Sequence, residues 1–596
     1  MQARAKATQR DEKLWVEFPY DYSLVQKVKS IGGARYVKPE KGGPAWTMPL
    51  HLETARRLRR LFGDEIRFSD ELEGWGRDVI ELEDRLVALA MAEDGELDLL
   101  PDVLPEMYET LHPYQRAGIK FGVECPFPLI ADQPGLGKTR EAIGVIFEAG
   151  IDFGKHLVIA PKTSLNTVWF EELRELQPYA IWVASGSRPE KQRAIDEFME
   201  YDEPAWLITN PATIQFTRVR GKKDQYFSQF PTLFDFLWDS IILDECHKAG
   251  LRDPKTLTAR GLLALPLADG GKRLALSGTP MGGKPINLWP ILHFLDRDEF
   301  NSRWAWAEHW LQMYDSGFGT TMGDVKPELQ EEFDQYITRF MLRRTKLEVF
   351  SELPPKQYVP VWVDMTPKQA KQYKEFALAA EVKIEEDHLT ATSILAEYMR
   401  LKQFAISYSH IQWIDRAEGT YKVVPEGYEE SPKLEALEQL LEERGIFDEQ
   451  QDVDEQVVIF SQFSVVVDWI CKWLMEEKGI EPLRITGAVT EHGRQEATGK
   501  FQNKEAKVIV MTTTAGGVSI TLDAADTVIF MDETWVPDDQ EQGEDRIHRV
   551  SRIHQVTCYY IRTNGTIEEY IEKKVQRKQN VNNIILDLRR EGLRAL

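Results

Sequence analysis

The sequence predicts an α/β protein with two tandem parallel-sheet lobes, helical insertions and a small N-terminal α+β module. Three observations predict it. Continuous apolar runs alternate with helical segments twice along the chain, the pattern of strands covered on both faces of a parallel sheet. The chain has 596 residues, more than one core sustains, since single cores rarely grow past roughly 250–300 residues. The first 63 residues share neither pattern and carry 13 Lys and Arg against 6 Asp and Glu.

The basic head opens with a strand in LWVEFPY and passes through a turn-rich middle (Gly32, Gly33, Pro39, Gly42, Gly43, Pro44) to Ala45–Pro49. It closes on HLETARRLRRLFG, where Leu52, Ala55, Leu58 and Leu61 or Phe62 repeat at helical spacing. Arg56, Arg57, Arg59 and Arg60 then fall mostly on the outer face. That face either holds DNA phosphates or is simply solvated. Residues 64–110 reverse the charge, with 3 basic residues against 16 acidic ones. They read as an acidic neck with a helix near Val79–Met91.

In the first lobe the strands are LI before Ala131, HLVIAP (His156–Pro161), AWLITN (Ala205–Asn210), SIILDE (Ser240–Glu245) and RLALSGT (Arg273–Thr279). Residues 299–345 turn helical and Trp-rich, and residues 366–412 read as helical with no strand signal. Alternation resumes with QVVIFS (Gln456–Ser461), PLRITG (Pro482–Gly487), KVIVMT (Lys507–Thr512), TVIFMD (Thr527–Asp532) and VTCYYI (Val556–Ile561). The expected boundaries are 1–68 for the module, 69–105 for an acidic linker and 106–298 for lobe one. Helical protrusions and an inter-lobe linker follow over 299–430, lobe two over 431–575 and a helical tail over 576–596.

Composition excludes some classes. The net charge is −24, with 42% hydrophobic and 10% aromatic residues, as in an ordinary folded protein. No apolar run is long enough for a membrane span and no secretory signal opens the chain, so no membrane partner is expected. Cys125, Cys246, Cys471 and Cys558 form no C-x-x-C pair, which argues against structural zinc and disulfides and fits a reducing cytoplasm.

LIADQPGLGKT (Leu129–Thr139) reads as strand, phosphate-binding loop and helix start. Pro134, Gly135, Leu136 and Gly137 form the loop, whose backbone N–H groups face a helix N-terminus. Lys138 can reach the β- and γ-phosphates of ATP, and the Thr139 hydroxyl can ligate Mg²⁺. Asp244 and Glu245 end a buried strand about a hundred residues later. One carboxylate there can hold Mg²⁺ while the next orients or deprotonates the attacking water. In Gln542–Arg549, Arg546 and Arg549 lie one short step apart. If that segment starts a helix at a lobe interface, both guanidinium groups reach the γ-phosphate as arginine fingers.

The chain resembles the Swi/Snf-family ATPases of the superfamily-two helicase type over about Leu111 to Ile571. LHPYQ, with Gln115, resembles the motif that reads adenine, and ADQPGLGKT the phosphate loop, including the family's Asp at position 132. DECH resembles motif II, and LSGTP (Leu276–Pro280) the coupling motif, which assigns Ser277, Gly278 and Thr279. FMLRRTKLEVFSELPPK (Phe340–Lys356) resembles the family's inter-lobe region, and TTTAGGVSITLDAAD and WVPDDQEQGEDRIHR its motifs V and VI. The resemblance implies two RecA-like lobes. Val536 departs from the family's Asn, and Ser551-Arg552 from its Gly-Gln, which puts fine coupling to DNA in doubt. More weakly, FPYD…ARY…AWTMPL…LRRLF resembles the HARP module of annealing helicases (HepA-related proteins), which implies forked or branched DNA.

The resemblance makes double-stranded or forked DNA the expected partner. Candidate contacts are Lys162, Thr163, Ser164, Asn210, Ser461, Gln462 and Thr513, each of which could equally be a cap or turn. Three functions fit: a DNA-stimulated duplex translocase that remodels or re-anneals DNA, a strand-separating DNA or RNA helicase, and a silent DNA-binding scaffold. The D-R-I-H-R and LRRTK…ELPPK segments favour the first. A monomer in the absence of DNA, in the cytoplasm of a bacterial or viral (phage-like) setting, is expected.

Overall fold

The computed structural model describes the chain apart from residues 1–4, 11–12, 30, 32–33, 39–44, 223–224, 252, 316–319, 351–353, 355, 387–390, 416–419, 449–454, 514–519, 521, 535–536, 548–554 and 577–596. The chain divides into two units, Met1–Gln133 with Gly137–Thr345, and Pro134–Leu136 with Lys346–Leu596.

The first unit opens with a five-stranded sheet in the order Arg35–Val37, Ala45–Pro49, Lys13–Glu17, Ala5–Arg10, Ile66–Phe68. The helix Leu52–Phe62 buries Leu58 and Phe62 with Leu14, Val16, Leu24 and Trp46. Its spacing leaves Arg56, Arg59 and Arg60 exposed.

The neck differs from its expected form. Its helix runs Asp70–Ala90, starting nine residues earlier than Val79, because Ser69 caps it by accepting from Leu72 N–H. Asp70, Glu71 and Glu73 occupy the first turn, where the helix dipole favours acids. Leu72 joins the module's core, and Leu86 packs with Phe121, Cys125 and Leu342. Glu83 accepts from Arg56 at 3.1 Å and also pairs with Arg339. The acidic segment therefore includes a packed helix shared by the module and the lobe.

The lobe that follows has a seven-stranded parallel sheet. Its order is Met341–Leu342, Leu129–Ile130, Leu267–Leu276, Trp238–Leu243, Lys155–Ile159, Ala205–Thr209, Ala180–Ala184. The outer strand Ala180–Ala184 was not expected; it is half-buried and too short to show a period. The Trp-rich insertion is not all helix either. After the helix Arg303–Trp310, Leu311–Asp315 pairs antiparallel with Thr320–Val325.

The second unit has a six-stranded parallel sheet. Its order is Gln357–Val363, Thr557–Thr563, Thr527–Phe530, Val457–Ser461, Val508–Thr512, Leu483–Ile485. The edge strand Gln357–Val363 is also absent from the expected set. Helices Pro367–Glu386 and Ala391–Ile406 match a helical reading of that stretch. A hairpin of Ser409–Asp415 with Thr420–Pro425 follows, where no strand was expected. A cross-strand Trp413–Tyr421 ring pair, centroids 5.3 Å apart, helps fix it. The four cysteines are free and buried, and among the described residues no helix is long and apolar enough to cross a membrane. The expected tail lies outside the described residues beyond Gln576.

His156 sits fully inside the first lobe, Nδ1 2.9 Å from Ser240 Oγ and Nε2 3.2 Å from the Asp152 carbonyl. Burial pushes its pKa from 6.5 down to about 4. A folded pKa below the unfolded one contributes stability that is complete above pH 6.5 and is lost as pH falls towards 4. Urea unfolding at a series of pH values should show this lobe losing about 3 kcal/mol across that window through His156. His156→Gln should flatten that slope.

Candidate functional site

The phosphate-binding loop leaves the Leu129–Ile130 strand at the C-terminal edge of the parallel sheet, where such sheets bind ligands. Gly135 and Gly137 have φ of +89° and +83°, and Gly137 precedes the helix Lys138–Glu148. A Cβ on Gly137 would lie 2.2 Å from Gln115 Nε2. Only glycine therefore lets the buried Gln115 side chain lie against the loop. The Gln115 Oε1 accepts from His112 N–H at 3.0 Å, which sets the amide's other end towards Gly137. Lys138 Nζ donates to the Asp132 and Gln133 carbonyls at 2.7 and 3.3 Å, so the ammonium is held over the loop.

Asp244 and Glu245 follow the strand Trp238–Leu243. Asp244 accepts from Trp169 Nε1 at 2.9 Å and from Glu245 N–H at 2.8 Å. Glu245 adopts φ +46°, a left-handed conformation uncommon outside glycine and found at functional sites. Burial raises both carboxyls, and Asp244's charge adds to the rise of Glu245 to about 7. Lys138 opposes both shifts, which puts its charge within electrostatic reach of the pair. Two acids so desolvated form an incomplete charge balance that a cation would complete. Among the described residues no group of three or more His, Cys, Asp or Glu could cage a metal. The paired carboxyls fit Mg²⁺, which keeps several waters and binds through one or two protein oxygens plus substrate phosphates.

His247 of the same motif has Nδ1 2.8 Å from Ser277 Oγ and 3.2 Å from Glu245 Oε2. Ser277 Oγ accepts in turn from Thr279 N–H at 3.1 Å. The carboxylate pair and the LSGTP segment are thus joined by a single imidazole. Gly278 contributes its carbonyl to Arg343 Nη1 at 2.8 Å.

Sequence reasoning gave no task to Arg344, which the structure puts at the centre. Its backbone N–H and Nε donate to the Asp132 carboxylate at 2.8 and 2.9 Å, and Nη2 reaches Asp132 and Glu141 at 2.5 Å. Nη1 donates to the Tyr114 carbonyl. One guanidinium faces two fully buried carboxylates, so one acid must give way. Burial pushes Glu141 up to about 8 despite Arg344, and its Oε2 has no partner. The only signal in the sequence is Asp132 standing where a phosphate loop usually has glycine. Trp169 gave no signal.

In the second unit, Ser461 Oγ donates to Asp532 Oδ2 at 2.5 Å, and Gln462 Nε2 donates to the Glu533 carbonyl. Thr513 is buried, with its N–H on the Ser461 carbonyl at 3.1 Å. Within its described residues the segment Gln542–Arg549 ends a helix where it was expected to start one, with Arg546 beyond that end. This arginine lies in a turn after the helix Pro537–Glu544, with Nη2 3.4 Å from the Thr513 carbonyl. Arg549 lies outside the described residues, as do residues 514–519 of the motif V segment.

Several expected DNA contacts turn out to be occupied. Asn210 caps Pro211–Ile214 by accepting from Ala212 N–H, and Ser164 is buried with Oγ on the Pro161 carbonyl at 2.9 Å. Thr163 accepts from Thr167 through its carbonyl, while Lys162 is exposed. Arg59 lies 3.5 Å from Glu73 and over the Phe68 ring. Arg57 lines a cavity of about 110 Å³ with His51, Trp306 and His309. Arg60 remains exposed.

Two parallel-sheet lobes, one bearing a phosphate-loop-like turn with an acid pair two strands away in the same sheet, define a helicase-like P-loop protein. Residues 114–409 match the SNF2-related domain and residues 432–551 the helicase conserved C-terminal domain, and the chain belongs to the Snf2-related family. It is 27% identical over 494 residues to the ISWI chromatin-remodeling complex ATPase CHR17 of Arabidopsis thaliana, covering 80% of this chain and 42% of that protein. It is 28% identical over 501 residues to YwqA of Bacillus subtilis, covering 81% and 50%. The chain thus spans half or less of the length of these relatives. The solved structure of the Sulfolobus solfataricus SWI2/SNF2 ATPase core in complex with dsDNA superposes with a TM-score of 0.35 at 24% identity, over 83% of this chain and 94% of that one.

Arg344→Met should leave Asp132 and Glu141 buried without a cation. Breaking a buried pair in this way costs about 3–5 kcal/mol. Denaturant unfolding should show that loss, and Arg344→Met/Asp132→Asn should recover part of it.

Proposed function

We propose that this chain hydrolyses ATP to translocate on double-stranded DNA and to remodel or re-anneal it at forked structures. The observation that carries the reading is the first-lobe constellation, in which Lys138 lies within electrostatic reach of Asp244 and Glu245 and His247 joins Glu245 to Ser277. The chromatin-remodeling ATPase among the relatives supports the hydrolysis.

In this reading the loop N–H groups and Lys138 hold the β- and γ-phosphates, and Gln115 reads the adenine. Thr139 and Asp244 hold Mg²⁺, which supplies charge neutralisation on the phosphates. Glu245 takes the proton of the water that attacks the γ-phosphorus, and ADP departs with the bridging oxygen's electrons. Its raised pKa suits a base that accepts a proton near neutrality. Arg546 and Arg549 of the second lobe contribute guanidinium charge to the transition state. His247 links the state of the acid pair to Ser277, Gly278 and Thr279, the segment assigned to coupling.

DNA contact is proposed chiefly for the exposed Lys162, with Arg56, Arg57, Arg59 and Arg60 of the HARP-like module supplying further phosphate attraction; Gln462 would have to exchange its bond to the Glu533 carbonyl. An exposed ion pair such as Arg59–Glu73 is worth little and can be exchanged for phosphates. Ser164, Asn210, Ser461, Thr163 and Thr513 are better suited to shaping the loops than to holding the strand through their side chains.

The test is ATP hydrolysis at one salt concentration with no nucleic acid, single-stranded DNA, duplex, forked DNA and RNA. Duplex or fork should stimulate most, and Glu245→Gln should lower the rate by about 10²–10⁴-fold. Deleting residues 1–68 should remove the preference for the fork and leave duplex stimulation. Strongest stimulation by single strands or RNA would establish a strand-separating helicase instead, and no hydrolysis at all a scaffold.

A further inference from the structure

The LRRTK and ELPPK segments contain two lysines to which the proposed hydrolysis gives no task, although Lys346 Nζ lies 3.8 Å from where a Cβ on Gly135 would stand. Lys346 and Lys356, both in the second unit, bury their side chains to 2% and 11% exposure. Their ammonium groups converge on one oxygen, Lys346 Nζ 3.0 Å and Lys356 Nζ 2.9 Å from Asp545 Oδ1. Lys356 also lies 2.8 Å from Glu544 Oε2. Tyr358 and Tyr560 donate their hydroxyls to the two Glu544 oxygens at 3.1 and 2.6 Å. Burial opposes a charge on Asp545, yet Lys356 and Lys346 outweigh it and hold the carboxyl below its usual range.

This is an unusual way to end a helix. Glu544 is the last residue of Pro537–Glu544, and Asp545 follows it. Acids at a helix C-terminus oppose the dipole, and a buried charge cluster is often no more stable than an apolar one of the same shape. Neither cost explains the cluster's position. Arg546 comes next, its carbonyl accepting from Leu522 N–H at 3.0 Å and its guanidinium 5.7 Å from the Phe460 ring. The backbone at Asp545 therefore sets where the Arg546 side chain begins.

We propose that Lys346 and Lys356 clamp Asp545 to fix the turn that presents Arg546, making all three positioning residues for that guanidinium. The inference rests on the proposed role of Arg546 in hydrolysis. A cluster that only stabilised the lobe would, on weakening, lower nucleotide affinity and turnover together or neither. A positioning clamp lowers turnover alone.

The experiment measures duplex-stimulated kcat and fluorescent-nucleotide affinity in the full chain, with folding checked by circular dichroism. Arg546→Ala should lower kcat by about 10²-fold or more with affinity within about twofold of the parent. Lys356→Met and Asp545→Asn should each lower kcat by about 10–100-fold at unchanged affinity. Lys356→Arg, which restores the charge, should return most of it. If Lys356→Met unfolds, Lys356→Met/Asp545→Asn removes both charges together and should show the same isolated loss of kcat. Parental kcat in a folded clamp variant, or a parallel loss of affinity, overturns the clamp when Arg546→Ala is inactive. Parental kcat in Arg546→Ala itself overturns the reading beneath it.

Discussion

Asp132 has no exposed surface, and the nucleotide side of the first lobe depends on the guanidinium that neutralises it. Arg344 binds the phosphate loop through Asp132, the helix behind it through Glu141, and the Gln115 helix through the Tyr114 carbonyl. Three elements, each about two hundred residues from Arg344 in sequence, thus share one cation. A hydrophobic contact could hold them together at similar stability, but it would leave their angles soft. The planar fork of arginine sets both distance and direction, which suits a loop whose N–H groups are proposed to point at phosphate oxygens. Gly137 depends on the same arrangement, because the Gln115 side chain fills the space that any Cβ there would need.

The second lobe uses the same device with a different cation. Its buried acids Glu544, Asp545, Asp532 and Glu568 meet lysines, Lys356, Lys346, Lys402 and Lys433, while buried Glu533 meets Arg562. Lys433, for example, donates to the Met531 and Ile561 carbonyls as well as to Glu568, each at 2.7 Å. An ammonium with three donors ties strand ends to a helix without requiring planarity. Asp532 and Met531, bound by Lys402 and Lys433, follow the end of the strand Thr527–Phe530, where an α/β sheet presents its loops, whereas Lys356 immediately precedes the strand Gln357–Val363.

Formal charge is a poor guide to this protein's surface. Its excess of acids suggests repulsion from DNA, yet part of the acidic excess is spent internally. Glu83 alone meets Arg56 of the module and Arg339 of the lobe. The neck's apolar side does the rest, Leu72 packing with one core and Leu86 with another. What reads as a charged connector is in part a helix whose narrow apolar stripe is divided between two neighbours.

The sequence by itself determined the two parallel sheets, because strands covered on both faces must be continuously apolar and announce themselves in runs such as SIILDE and QVVIFS. It also pointed to the loop and acid pair, since glycines at positive φ and acids at strand ends are local requirements. It did not show the edge strands Ala180–Ala184 and Gln357–Val363 or the antiparallel hairpins. Half-exposed strands need no apolar run and take their pairing from neighbours. Nor did it show which polar residues were already engaged: Asn210 and Ser164 bond to their own loops, while Arg344, Lys346 and Trp169 meet partners that chain order does not reveal. Tertiary structure decided those, because a buried charge or indole N–H is placed by the distant groups that can satisfy it.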